Sequence, residues 1–146
     1  MGKVADILAA KGSQVFTIER TQSVLEAVKK MVELQTGSLL VTQAGEVCGI
    51  ISERDYVRNI VLEGRTSKGT QVREIMTPNV ICVGPDHTVE QCMAIMTEKR
   101  IRHLPVFDKG KLAGVVSIGD LVKQLSRDQQ YEIKYLTDYI TGKYPG

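Results

Sequence analysis

Two seven-residue segments carry a serine and an aspartate at the same spacing, and each could bind a phosphorylated ligand. They read GIISERD from Gly49 to Asp55 and GVVSIGD from Gly114 to Asp120. Each serine follows an apolar strand-like run, so we expect it at a helix start, where free backbone N–H groups and the helix dipole favour a phosphate. The aspartate could accept two hydrogen bonds from a ribose diol. The alternative is a capping box, in which serine and aspartate satisfy the helix start without a ligand.

These two segments are the ends of a long internal repeat. A shift of 65 positions places Val15–Val57 on Val80–Val122 without a gap. A three-residue slip also aligns VADIL, from Val4, with VREIM, from Val72. Such a repeat indicates two copies of one supersecondary unit, each too small to bury a core alone. Side by side they would form a cleft, and we expect the ligand there.

Basic residues form a second candidate group in the segment RIRHLPV. Arg102 and His103 stand just before an apolar strand, and one of them could reach a phosphate; the alternative is a solvated strand end. Pro105 lacks an N–H group and should leave the strand locally unpaired. The first copy has Gly37 and Ser38 at the positions of the two basic residues, so the halves need not bind the same ligand.

Other reactive side chains are few. Arg54 and Arg58 lie one helical turn apart after Ser52, so they could face an anion or form a surface pair. The histidines, His87 and His103, have no metal-like spacing partner, and His87 should be a surface residue. Neither serine has an obvious general base. The sequence therefore predicts no catalytic residue and no metal site.

Each copy predicts an α+β unit in which a short lead-in helix precedes the order β-α-β-β-α. In the first copy we expect the lead-in helix at Val4–Leu8 and helices that begin at Ser23 and Ser52. Its strands should be Val15–Ile18, Leu39–Thr42 and Val47–Ile51. In the second copy we expect the lead-in helix at Val72–Met76 and helices that begin at Thr88 and Ser117. Its strands should be Val80–Val83, Leu104–Phe107 and Leu112–Val116. The apolar residues of the two amphipathic helices recur at helical spacing, so we expect them to face the core; they are Val24, Val28, Met31, Val32, Val89, Met93 and Met96. Ala44-Gly45 and Lys109-Gly110 predict hairpins.

The expected domain boundaries follow the repeat. The first copy covers 1–62, a polar linker 63–70 and the second copy 71–126, with a pseudo-two-fold relation between the copies. Residues 127–146 should extend the last helix through Tyr131, Leu136 and Ile140.

Composition limits the class of protein. The 146 residues carry a net charge of +2 and only 5% aromatic residues, which argues against a nucleic-acid partner. No apolar run is long enough to span a bilayer, and the N-terminus lacks a secretory pattern. Cys48, Cys82 and Cys92 are odd in number and lie in apolar stretches. We expect them to be reduced core residues of a cytoplasmic protein.

The repeat resembles a tandem pair of cystathionine-β-synthase (CBS) domains. The matching pieces are DIL and EIMT in the lead-ins, the helix starts after Thr21 and Asp86, RHLPVFDKGKLAGVVS, and the two G-x-x-S-x-x-D turns. The match covers Val4 to Leu125. The segment ISERDYVRNIV and the terminal extension are similar to stand-alone CBS-pair proteins of bacteria and plant organelles.

The resemblance implies a regulatory binding module that is not an enzyme and has no catalytic cofactor. Its ligand would be AMP, ADP, ATP or NAD(H), with S-adenosylmethionine a further candidate, in the cleft between the repeats. Asp55 and Asp120 would bind ribose. Phosphate would meet Ser52, Ser117, the backbone of Ile118 and Gly119, and the cations Arg54, Arg102 and His103. Adenine would be bordered by Thr17 and Ile18 in one site and by Val80, Cys82, Leu104 and Pro105 in the other.

The resemblance also implies a homodimer, formed through apolar helices and the tail that contains Tyr131 and Tyr139, and an unidentified regulated partner. Two other classes stay open from the residues alone. A small nucleotide-processing enzyme would need a base or a metal, and a nucleic-acid-binding regulator would need a basic face with aromatic residues.

Overall fold

The computed structural model describes residues 2–128, and in them the α+β prediction is confirmed. The helices are α1 (Val4–Lys11), α2 (Val24–Leu34), α3 (Glu53–Tyr56), α4 (Val72–Ile75), α5 (Val89–Lys99) and α6 (Ile118–Asp128), and a π-helical turn, Val57–Val61, continues α3. The strands are β1 (Thr17–Glu19), β2 (Ser38–Gln43), β3 (Glu46–Ser52), β4 (His103–Asp108) and β5 (Lys111–Ser117). The predicted terminal helix beyond 128, with Tyr131, Leu136, Tyr139 and Ile140, lies outside the described residues.

The chain folds into two compact units, and each contains one copy of the repeat together with the lead-in helix of the other copy, which we call the exchanged lead-in. The unit that we call the Asp55 unit runs from Gln14 to Ile81. Of the described residues, the Asp120 unit combines 2–13 with 82–128. The backbone bonds are equivalent in the two units. Lead-in residues Val4 and Ala5 donate to His87 O and Pro85 O at 2.9 Å.

In the Asp55 unit, Val72 and Arg73 likewise donate to Gln22 O and Arg20 O, at 2.8 and 2.9 Å. Each lead-in thus packs on the other copy of the repeat.

A three-stranded sheet of order β1-β2-β3 supports the Asp55 unit. β1 runs parallel to β2, and β2 and β3 form an antiparallel hairpin that pairs Ser38 with Ser52. The inward side chains of β2 and β3 pack against α2, the π-helical turn and α4. This core contains Ile18, Val24, Ala27, Met31, Leu39, Val41, Ile51, Ile60, Val72 and Ile75.

The Asp120 unit has the equivalent β4–β5 hairpin, but the strand predicted at Val80–Val83 is wrong. Of residues 80–83, Val83 alone pairs with β4, in an isolated parallel bridge to Val106. In the other unit, Leu40 and Arg20 donate ladder bonds to Phe16 O and Thr42 O.

The residues equivalent to Leu40 and Arg20 are Pro105 and Pro85, which have no N–H to donate. Two prolines therefore remove the outer bonds of this ladder. The prediction that Pro105 leaves its strand locally unpaired is nevertheless wrong, because Pro105 pairs with Val115 of β5 and its carbonyl oxygen accepts from Val83 N.

Both predicted hairpin turns are confirmed. Ala44 and Gly45 have φ of 52° and 82°, and Lys109 and Gly110 have 51° and 78°. Two successive positive φ values are the type I′ geometry that matches the twist of a two-residue hairpin.

The first glycine of each G-x-x-S-x-x-D segment makes room for an exchanged lead-in. A Cβ on Gly49 would lie 2.7 Å from Met76 Sδ and 3.0 Å from Thr77 O. A Cβ on Gly114 would lie 2.7 Å from Leu8 Cδ2. These glycines therefore serve close packing of strand and lead-in.

Several burial predictions need correction. Val32 is 73% exposed because it lies on the outer face of α2, although Met31 beside it is buried. Cys92 is buried in α5, Cys48 is half-buried and Cys82 is exposed, so only one cysteine is a core residue. Among residues 2–128, no helix is long and apolar enough to cross a membrane.

Candidate functional site

The serine and aspartate of the Asp55 unit form a complete capping box. Asp55 N donates to Ser52 Oγ at 3.3 Å, and Ser52 N donates to Asp55 Oδ2 at 2.9 Å. Ser52 Oγ also donates to Oδ2, at 3.1 Å. The other carboxylate oxygen, Oδ1, accepts from the hydroxyl of Thr77 at 3.4 Å. The capping alternative is therefore confirmed for this segment, and the second contact comes from the exchanged lead-in region.

The Asp120 unit repeats this cap and adds an ion pair. Ser117 N donates to Asp120 Oδ2 at 2.8 Å, and Asp120 N donates to Ser117 Oγ at 3.2 Å. Lys11, the last residue of α1, donates from Nζ to the same Oδ2 at 2.7 Å and to Val115 O at 2.9 Å. The bonds from Lys11 Nζ and Ser117 N both go to Oδ2, and the Ser117 hydroxyl also hydrogen-bonds the carboxylate.

The surroundings of Asp120 favour its ionised form. Burial by itself opposes ionisation, since the side chain is only 18% exposed. The Lys11 ammonium and the N–H of Ser117 outweigh that effect and hold the pKa of Asp120 below its ordinary value. Asp120 is thus an anion at neutral pH, paired to a cation from the other end of the chain.

The helix starts have fewer open N–H groups than the sequence suggested. Ile118 N, the first of α6, donates to Arg102 O at 2.9 Å, and Glu53 N donates to Gly37 O at 3.0 Å. The N–H of each capping aspartate is also taken. The expectation of several free groups is wrong, because two of the first three N–H groups of each helix are used. One donates to the residue just before the neighbouring strand, β2 or β4, and one donates to the cap serine.

The predicted cations lie near these turns. His103 is directly opposite Ser117 in the β4–β5 register and is half-buried, and Arg102 next to it is exposed. Arg54 and Arg58 are exposed in α3 and the π-helical turn. The structure thus brings Arg102 and His103 to the start of α6, and Arg54 to the second position of α3.

The residues proposed to border adenine have different environments. Ile18 and Leu104 are 4% and 0% exposed, so their side chains belong to the core, and Pro105 is buried. Thr17 is half-buried, and its carbonyl oxygen accepts a hydrogen bond from Lys30 Nζ. Val80 is half-buried and Cys82 exposed, both outside regular secondary structure.

His87 was expected at the surface and is instead a half-buried turn residue. Its Nδ1 accepts from Gly84 N at 3.0 Å, and its carbonyl accepts from Val4 N. It therefore closes the turn before α5 and anchors the exchanged lead-in.

Sequence reasoning missed Lys11 and Thr77 as contacts of the two aspartates. Both lie in or just after the lead-ins, and they do not align with each other in the repeat. Because the lead-ins are exchanged, nothing in the repeat pattern pointed to them. Among residues 2–128, no group of three potential metal ligands is found.

The family comparison agrees with this repeated architecture. A model of the CBS domain matches residues 4–62 and again 72–127. The chain belongs to the CBS domain family. Two CBS domains in one chain form a CBS pair, and proteins of this kind are generally regulatory or sensor modules that bind adenine nucleotides.

Relatives with known structures share this fold. A CBS-domain protein from Burkholderia ambifaria, assigned to signal transduction, is 49% identical with a TM-score of 0.86, covering 90% of this chain and 98% of its own. A hexameric CBS-CP12 protein from bloom-forming cyanobacteria is 27% identical with a TM-score of 0.78, covering 97% of this chain and 82% of its own.

A curated relative is a plant protein. The CBS domain-containing protein CBSX3, mitochondrial, of Arabidopsis thaliana is 38% identical over 97% of this chain and 73% of its own length.

Proposed function

We propose that this CBS pair is a regulatory module that binds an adenine nucleotide, AMP, ADP, ATP or NAD(H), and responds by changing conformation. The observation that carries the proposal is the geometry of Ser117–Asp120, which we call the Asp120 turn, as we call Ser52–Asp55 the Asp55 turn. There Lys11 and Ser117 N hold an ionised carboxylate through Oδ2, and neither of them contacts Oδ1. A carboxylate fixed in this way suits a ribose hydroxyl, because hydrogen bonds to a charged acceptor are stronger than neutral ones.

The phosphate would lie on the same side of the hairpin. Arg102 and His103 stand at the strand end that borders the start of α6, and Ser117 opposes His103. We assign them to the phosphate, together with the N–H of Gly119. The backbone N–H of Ile118 is not assigned to the phosphate, since it already donates to Arg102 O.

The Asp55 turn is proposed as the weaker site. Arg54 offers one exposed cation, but the Ser52 hydroxyl already donates to Asp55, and both oxygens of the Asp55 carboxylate already accept hydrogen bonds. Gly37 and Ser38 supply no further charge. Around adenine, Thr17, Val80, Cys82 and Pro105 remain candidates. Ile18 and Leu104 would contribute backbone atoms, because their side chains are in the core.

Signalling would follow from differential affinity. A ligand that binds one conformation of the module better than another shifts the population toward it. A regulated protein partner would then read that conformation.

A ligand panel tests the proposal. The wild-type protein is heated with AMP, ADP, ATP, NAD, NADH and S-adenosylmethionine; a ligand at 100 times its dissociation constant should stabilise the fold by about 2.7 kcal/mol. Calorimetry should then show at least a tenfold loss of affinity in Asp120→Ala and a smaller loss in the matched variant Asp55→Ala. If no adenine compound raises the melting temperature, the proposal is refuted.

We also propose that the chain forms a homodimer. Exposed apolar residues occur at equivalent positions of the two copies, Val57 in the π-helical turn at 49% and Val122 in α6 at 43% exposure. Val61 and Leu62 of the Asp55 unit are exposed as well, at 54% and 75%. Burying such side chains contributes about 1.5–3 kcal/mol each. Light scattering should give the dimer mass at high micromolar concentration, and Val57→Asp with Val122→Asp should shift it toward the monomer. A monomeric wild type would contradict the dimer.

A further inference from the structure

Lys11 makes the two aspartate turns electrostatically different. In the Asp120 unit, the Lys11 ammonium lies 2.7 Å from the carboxylate. In the Asp55 unit, the contact that the carboxylate makes beyond its own cap is with the neutral hydroxyl of Thr77. The Asp120 turn is thus an internally neutral pair, and the Asp55 turn presents a negative carboxylate to its hydroxyl partner.

The lysine is held in place by the exchanged helix. Its Nζ bonds Val115 O as well as Asp120 Oδ2, so the ammonium bridges the end of β5 and the first turn of α6. Leu8, one turn earlier in α1, packs into the space that Gly114 leaves open. The Lys11 side chain as a whole remains 38% exposed, so the pair with Asp120 lies at the surface of the unit.

This arrangement addresses a conflict in binding a nucleotide. The ribose hydroxyls require a carboxylate, but the same negative charge repels the nearby phosphate. A cation bonded to the carboxylate removes the repulsion and leaves Oδ1 available to a hydroxyl. Arg102 and His103 can then act on the phosphate without first offsetting the charge of Asp120.

We propose that Lys11 is a specificity-determining residue, which makes the Asp120 turn select phosphorylated adenine nucleotides over the unphosphorylated nucleoside. The inference rests on the proposed function and adds the ligand class that the turn prefers. Lys11 acts on this choice through charge, so its effect should depend on whether the ligand carries a phosphate.

The test compares AMP with adenosine by calorimetry in wild type and Lys11→Met. AMP affinity should fall at least tenfold, while adenosine affinity stays within threefold. Both ligands are measured on one preparation, because a reduced fraction of competent protein lowers both affinities alike and leaves their ratio unchanged. Lys123→Met is the matched control, since it removes the same charge from an exposed position of α6. The ratio of its AMP affinity to its adenosine affinity should equal that of wild type. Lys11→Arg should keep most of the preference.

The outcomes separate the two proposals. If wild type binds AMP and Lys11→Met keeps the wild-type ratio, the role of Lys11 is wrong and the proposed function stands. Equal losses for AMP and adenosine also overturn it, because they mean that Lys11 only supports the fold of the turn. If wild type binds no adenine compound, the proposed function fails and this inference fails with it.

Discussion

The Asp55 and Asp120 turns share one backbone cap and differ in what surrounds it. Each places a serine and an aspartate in reciprocal hydrogen bonds at a helix start. The Asp120 carboxylate then meets an ammonium group, and the Asp55 carboxylate meets a hydroxyl. A capping motif can thus be complete while the charge around it depends on a residue far away in the sequence, as Lys11 is from Asp120.

The sheets differ for an equally local reason. Equivalent positions hold Leu40 and Arg20 in one unit and Pro105 and Pro85 in the other. The first unit therefore has a third strand, and the second has a single bridge at Val83. Two missing N–H groups are enough to change the strand count of an otherwise repeated unit.

The largest expected difference concerns the glycines under the lead-ins. Gly49→Ala should destabilise the fold by about 2–3 kcal/mol, because the new Cβ meets the backbone oxygen of Thr77 as well as Met76. Gly114→Ala should cost about 1 kcal/mol, since Leu8 Cδ2 ends a flexible side chain that can shift. Urea unfolding of both variants measures this. Equal losses would show that the two lead-ins pack with the same rigidity.

The next difference concerns the aspartates in the ligand-free protein. Asp120→Ala should cost about 1–2 kcal/mol, because it removes the bonds that Ser117 N and Lys11 donate to the carboxylate. The partial exposure of Lys11 limits the loss, and the bond from the backbone N–H of residue 120 to Ser117 Oγ remains. Asp55→Ala should cost about 0.5–1 kcal/mol, as expected for a cap with a long hydroxyl contact. Chemical denaturation at pH 7 compares them; a larger loss in Asp55→Ala would contradict the ranking.

The pH dependence of the Asp120→Ala loss provides its control. The pKa of Asp120 is lowered in the folded state, so the stabilisation is complete above the unfolded value of about 3.9 and declines as pH falls through the folded value. The stability gap between wild type and Asp120→Ala should therefore shrink below about pH 4. A gap that stays constant to lower pH would mean that the ion pair adds nothing to the cap.

The smallest effect tests the prolines. Pro105→Leu restores the N–H found at Leu40, so the new amide should be protected from hydrogen exchange. The stability should change by no more than about 1 kcal/mol, because a proline also stabilises by restricting the unfolded chain. Pro85→Arg is the matched variant at the other end of the bridge. An amide at position 105 that exchanges as fast as an exposed one would show that the prolines are not the cause of the missing strand.

Much of the fold could be predicted because its signals are local. Helical spacing placed α2 and α5, Gly45 and Gly110 placed the hairpins, and the S-x-x-D spacing placed the helix caps. Each of these features depends on residues within one or two turns of each other, and their side-chain chemistry is sufficient to form them. The strand at Val80–Val83 was predicted from its apolar residues, but a strand also needs N–H groups on its partner.

Two features of the candidate site were decided by the tertiary structure. Lys11 and Asp120 are 109 positions apart, and they meet because α1 packs on the second copy of the repeat. The burial of Ile18 and Leu104, which limits their role in any ligand site, likewise depends on how sheet and helices pack. The sequence by itself determined that this chain is a repeat with an S-x-x-D cap at two helix starts, because a cap depends on residues three positions apart. The resemblance of the repeat to CBS domains was also visible in the sequence, and the family comparison confirmed it. The charge around each aspartate was decided by the exchange of lead-ins, since an ion pair depends on distance in space and not on distance along the chain.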